Sequence, residues 1–258
     1  MKVLLTMDGR TDQGGGPLIM HNDRLADPLD EYTRAIAKIS KKRKKTDAEH
    51  QEIARLEFLG GLYTNSNGPC LPAINILRCL QDGGKRTKRG QDVLCGVVPL
   101  VAYVDLAYEG QRDPDALWRA GGYALRKSVG VMTSRTMRTR PLFTDWSAVL
   151  PVEVDPTVFD SDTLAGIWRD AGIYAGLGDM RPIYGKFRGT LTEWTITSTD
   201  GLSEAAYALA CAVAARRIQM SDEEHNQRHG FVQDLLHAEQ ERAASLHAKR
   251  EAMMGAKA

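Results

Sequence analysis

Residues 175–189 read AGLGDMRPIYGKFRG, and the way the chain enters and leaves this stretch decides the fold. Before it, Leu164, Ile167, Trp168, Ala171 and Tyr174 or Ala175 recur at the i, i+3, i+4, i+7 spacing of an amphipathic helix, with Ser161 and Asp162 as its caps. After it, Phe187 to Ile196 reads as a strand. A helix-to-strand passage excludes a Walker loop, because a GxxxxGK[ST] element follows a strand and opens a helix, and the GxGxxG dinucleotide pattern is missing as well. Gly176, Gly178, Gly185 and Gly189 permit positive φ and close backbone approach. Arg181, Lys186 and Arg188 stand between them and supply the forks and charge that a phosphodiester needs. The loop is either a phosphate cradle or a corner.

Upstream of that helix, Trp146, Ala148, Leu150, Val152 and Val154 alternate with period two and predict a strand. VMTSRTMRTRPLF, from Val131, falls in a strand or hairpin predicted from Val129 onward, and Val93 to Leu106 predicts a strand at an edge or interrupted, because of Pro99. The stretch around Pro114 and Trp118 reads as irregular. Pro72 opens a helix carrying Ile74, Leu77 and Leu80 that ends at Gly83 and Gly84, and Met1 to Met7 is a strand broken by the loop Gly9 to Pro17. Between them, Leu29, Tyr32, Ile36 and Ile39 mark one helix, while Thr46 with Glu49 forms a capping box opening a second. Stripped of insertions the order is strand, helix, strand, strand, helix, strand. That predicts an α+β fold with a ferredoxin-like (RRM-like) βαββαβ core over residues 1–200, with a helical insertion at about 18–60 and a hairpin insertion at about 85–145. Residues 201–258 predict a helical C-terminal arm.

The chain has 258 residues, a formal charge of +1, 43% hydrophobic and 26% charged residues, which excludes disordered and fibrous classes. The positive charge is clumped: SKKRKK (Ser40 to Lys45), KRTKR (Lys85, Arg86, Thr87, Lys88, Arg89), SRTMRTR (Ser134 to Arg140) and RPIYGKFR (Arg181 to Arg188). On a strand Arg138 and Arg140 share one face and Arg135 takes the other, a row able to track a phosphate backbone with Met132, Met137 and Phe143 nearby. Cys70, Cys79, Cys95 and Cys211 show no CxxC spacing, and His225 and His229 lack the HExxH glutamate, so no metal site and no cofactor is expected. No apolar run approaches the roughly 20 residues of a membrane helix, and a cytoplasmic location is expected. No GxSxG elbow is present. His21, in LIMHNDRLADP, is the one candidate general base or stacking group.

GPLIMHNDRLADP (Gly16 to Pro28) and AGLGDMRPIYGKFRG resemble segments of a group of phage and prokaryotic-virus proteins that carry "PLLMH" and "AG..GLGDWRP..GRF". The likeness spans about residues 1–196, and Met180 stands where that group has Trp. The group in turn resembles the RAMP superfamily of CRISPR systems, especially the backbone subunits that polymerise along guide RNA. The resemblance implies an RRM-like palm, sequence-tolerant binding of single-stranded DNA or RNA, a homo-oligomer, and assembly with other subunits of a nucleoprotein complex. It points to His21, Arg24, the Arg135, Arg138 and Arg140 row, and Arg181, Lys186 and Arg188. An alternative from the same superfamily is a metal-independent endoribonuclease with His21 as base and Arg181 or Lys186 stabilising the phosphorane charge; a third is a phage mimic of a CRISPR subunit that blocks host defence.

Overall fold

The computed structural model describes residues 1–131 and 134–193. Met132, the strand's expected run to Ile196, and the C-terminal arm with Cys211, His225 and His229 lie outside the described residues. In chain order the first elements are β1 (Lys2–Asp8), β2 (Leu18–Ile19), α1 (Glu31–Ser40), α2 (Asp47–Gly61), β3 (Thr64–Asn65), β4 (Gly68–Pro72) and α3 (Ala73–Gly84). There follow α4 (Gly90–Gly96), β5 (Val97–Pro99), β6 (Tyr103–Asp105), α5 (Pro114–Ala120), β7 (Ala124–Val131), β8 (Ser134–Phe143), β9 (Ser147–Val154), α6 (Ser161–Asp170) and β10 (Arg188–Glu193).

Four strands make an antiparallel sheet in the order β10-β1-β9-β5. β1 is central, with Leu5 opposite Leu191 on one side and Leu150 on the other. Because strand side chains alternate, Val3, Leu5 and Met7 enter one core with Leu150, Val152, Ile76, Leu80, Leu164 and Trp168. Helices α3 and α6 pack on each other, α3 against β5 and α6 against β10. The order strand, helix, strand, strand, helix, strand is carried by β1, α3, β5, β9, α6 and β10. The sheet's other face carries Lys2, Leu4, Thr6, Glu153, Thr190 and Thr192, without an aromatic side chain among the described residues. Trp168 and Trp146 both pack on Phe187, whose full burial contributes about 2–3 kcal/mol.

Two smaller antiparallel sheets, β2-β8-β7 and β3-β4-β6, are built from the intervening segments. The Thr46–Glu49 capping box forms at the start of α2, after the basic turn that follows α1.

Four local readings are corrected by the structure. Val93 to Gly96 completes a helix, since Arg89 pairs with Asp92 at 2.9 Å and Val93 is fully buried; packing overrides its β propensity, and only Val97–Pro99 and Tyr103–Asp105 are strands. The stretch around Pro114 and Trp118 is helical. Asp113 accepts the Ala116 N–H at 2.7 Å, Pro114 sits in the first turn, and Trp118 packs on Phe58. The cap of α6 is Asp160, which accepts from Thr163 N–H at 2.7 Å, rather than Ser161 and Asp162. The hairpin's first strand begins at Ala124, not at Val129.

Candidate nucleic-acid interface

The 175–189 loop starts where α6 widens into a π turn over Ala171–Ala175. Its amides point inward. Leu177 N–H donates to Gly185 C=O at 2.8 Å, Asp179 N–H to Ile19 C=O at 2.8 Å, and Gly185 N–H to Pro17 C=O at 2.8 Å. Gly178 and Gly185 adopt φ of +82° and +72°, and a Cβ at either would collide with a backbone carbonyl, of Ile19 or Leu177 respectively. These amides are closed onto the chain's own carbonyls, so the loop forms a corner and its backbone builds no phosphate nest from them. Its side chains remain available: Lys186 has no partner among the described residues, and Arg188 meets only the Gln13 amide oxygen at 3.3 Å.

In the β7–β8 hairpin Arg138 lies across from Lys127, Arg140 from Leu125 and Arg135 from Gly130, so Arg138 and Arg140 share a face and Arg135 takes the other. The two that share a face are anchors. Glu57 of α2, only 3% exposed, accepts from Arg138 Nη1 at 2.6 Å and from Thr139 N–H at 2.7 Å. Arg140, whose side chain is 13% exposed, binds Asp179 of the loop at 2.9 Å. Arg126, Lys127 and Arg135 are exposed and meet no carboxylate among the described residues; Arg135 donates to Ser128 Oγ at 3.0 Å. Residues 124–143 contain five cations and no Asp or Glu, so nothing within the hairpin neutralises them.

The KRTKR segment folds into a 3-10 turn, Lys85–Thr87, after which Lys88 is left-handed at φ +60° and exposed without a partner among the described residues. Asp82 joins this turn to the loop, accepting Lys85 Nζ at 2.6 Å and Arg181 Nη1 at 3.2 Å. Burial would raise the Asp82 pKa, but Lys85 and Arg181 outweigh it and hold the carboxyl below its ordinary range. Arg86 lies 3.7 Å over the Tyr174 ring and 3.4 Å from Asp170. Arg89 pairs with Asp92, donates to the Val158 carbonyl at 2.6 Å and stacks on Phe159, which makes it a tie between α4 and the core.

These contacts join two basic zones into one track. Lys127 lies 5.6 Å from the Tyr184 ring centroid, Tyr184 N–H bonds back to Met180 C=O, and Arg181 follows Met180 and meets the Asp82–Lys85 pair. Arg86 and the half-exposed Tyr174 continue it. Two tyrosine rings therefore bracket a run of three acid-paired cations between the hairpin and the helical layer.

His21 sits beside the base of the hairpin. Desolvation, then the charges of Arg140 and Arg138, outweigh Asp179 and Glu57 and hold its pKa below the ordinary 6.5, which favours the neutral imidazole. Arg24 stands apart from the track: it pairs with Asp30 at 2.8 Å and Glu31 at 3.6 Å and stacks on Tyr32, tying down the N-terminus of α1. Among the described residues no group of three His, Cys, Asp or Glu side chains is placed to hold a metal ion, and no helix is long and apolar enough to cross a membrane.

No protein-family model matches the chain, and no curated protein matches it either. Sequence reasoning missed Lys127 and Arg126 because β7 was started too late; extending the hairpin register back to Ala124 brings Lys127 opposite Arg138. It also missed Glu57, whose signal is a carboxylate at i+4 from Ile53 between Leu56 and Phe58, on the buried side of α2. Tyr174 and Tyr184 carry no local sequence signal that separates them from core aromatics.

Proposed function

We propose that this protein is a sequence-tolerant single-stranded nucleic-acid-binding protein that self-associates along the strand, on a ferredoxin-like palm of the kind the RAMP superfamily uses. One observation carries the reading: the succession Lys127, Tyr184, Arg181, Lys85, Arg86, Tyr174, in which two rings able to stack on bases bracket three cations that phosphates would take over from Asp82 and Asp170. Stacking tolerates any base, and charge tolerates any sequence, so the pair of contacts is suited to a strand whose sequence is not read. The sheet order β10-β1-β9-β5 with α3 and α6 between its strands supports the palm. Self-association is supported by an apolar surface at the end of β5, where Ile74 and Tyr103, each more than half exposed, line one shallow groove with Leu100.

Labelled single-stranded RNA and DNA, with and without EDTA, read for retention and for cleavage, test this. The reading expects retention in length-dependent ladders with uncut strands, and a salt slope no shallower than about −2 to −3, from three or four phosphates neutralised by the hairpin and the track alone. A slope near zero contradicts it. A second reading, a metal-independent endoribonuclease, draws on His21, whose pKa desolvation holds low, as the base; Arg140 beside it is tied to Asp179, so Lys186 of the loop, without a partner among the described residues, is the cation that would stabilise a phosphorane. Cutting that persists in EDTA and is abolished by His21→Ala would select that reading.

A further inference from the structure

The lysine-rich turn between α1 and α2 belongs to no part of the track, yet its position is fixed relative to the hairpin. Helix α2 meets β8 at two heights: Gly61 lies against Pro141, and Glu57 holds Arg138 and Thr139. Going from the first contact to the second moves toward the N-terminus of α2 and toward the tip of β8 together. Beyond that second contact, the helix back to Asp47 rises about 15 Å, and the strand back to Ser134 covers about 17 Å. The turn and the outer end of β8 at Ser134 therefore lie on the same side of the α2–β8 contact.

The turn is shaped by its own side chains. Lys42 pairs with Glu49, and Lys45 Nζ donates to the Lys42 carbonyl at 2.8 Å. Lys41, Arg43 and Lys44 are left exposed and without a partner among the described residues. Five consecutive cations, Lys41 to Lys45, face only Asp47 and Glu49 as local acids. Concentrating like charges at one turn raises the local positive potential and draws a polyanion toward it.

We propose that Lys41, Arg43 and Lys44 form a second cationic prong that contacts the phosphates of the same strand held by the hairpin. The inference rests on the nucleic-acid reading above and adds the surface that would complete a two-sided grip. It assigns the contact to phosphates alone, because the turn offers no aromatic ring on which a base could stack.

The test compares wild type with K41Q/R43Q/K44Q on a labelled oligothymidylate of about 30 nucleotides, over a salt series. The proposal expects the salt slope to become shallower by about 2, three contacts at about 0.7 each, with an unchanged thermal midpoint. An unchanged slope in a variant that still binds overturns the prong and leaves the track standing. If wild type shows no salt-dependent binding at all, the nucleic-acid reading falls and the prong with it. Should the variant instead lose co-sedimentation with phosphatidylserine vesicles while its slope on the strand is unaltered, the turn is a lipid-facing surface and the proposal is wrong.

Discussion

The 175–189 loop and the 124–143 hairpin are both short, basic and interrupted by small residues, but they treat their charges in opposite ways. The loop carries its own acid, Asp179, and turns its amides onto Pro17, Ile19 and its own Gly185, so most of its polar groups have partners within the protein. The hairpin contains no acid; its base is pinned by Glu57 and Asp179 from outside, and its outer cations stay open. Whether a basic run keeps its cations open is thus set by how many acids approach it and from which side. Glycine content distinguishes the two for another reason: the loop needs positive φ to turn, whereas the hairpin is regular ladder.

Breaking the loop should produce the largest effect. Gly185→Ala forces a Cβ into the Leu177 carbonyl at φ +72°, and a loss of about 4 kcal/mol in urea unfolding is expected; a loss below about 1 kcal/mol would show that the corner is not needed. Next comes the hairpin's anchor. Glu57→Leu strands the buried Thr139 N–H and unpairs a partly exposed Arg138, for an expected loss of about 2 kcal/mol, whereas Arg135→Ala stays within about 0.5 kcal/mol.

Asp82 sharpens the comparison at the point where loop and turn meet. Asp82→Asn frees Lys85 and Arg181, and strand affinity should rise about threefold while stability falls by less than about 1 kcal/mol. Because the folded carboxyl is held below its ordinary 3.8, its contribution is present above that value and is lost as pH falls through the lower folded one. The variant should lack that part of the acid dependence in thermal melts. His21 gives the smallest expected signal. Its folded pKa lies below 6.5, so the unfolded chain binds more protons in the window beneath that value, and stability there rises with pH. His21→Gln should flatten that segment of the stability profile; an unaltered profile would show that neither burial nor the charge of Arg140 depresses the His21 pKa.

Much of this arrangement was legible before any coordinates. The helix-to-strand passage around residues 175–189, the capping box at Thr46 and Glu49, and the division of Arg135 from Arg138 and Arg140 all follow from local periodicity and are seen. What local pattern cannot carry is partner choice. Arg138 and Arg140 look identical to Arg135 in sequence, and only the approach of α2 and of the loop turns the first two into anchors. The α4 helix was misread for a related reason, since Val93 favours a strand until the core takes it.

The account's central claim is that the hairpin's unpaired cations hold a strand. The salt dependence of binding to a single-stranded oligonucleotide, measured for wild type and for R126A/K127A/R135A, tests it most directly. The account predicts a slope shallower by about 2 in the variant with folding intact. A variant slope equal to that of wild type would contradict it.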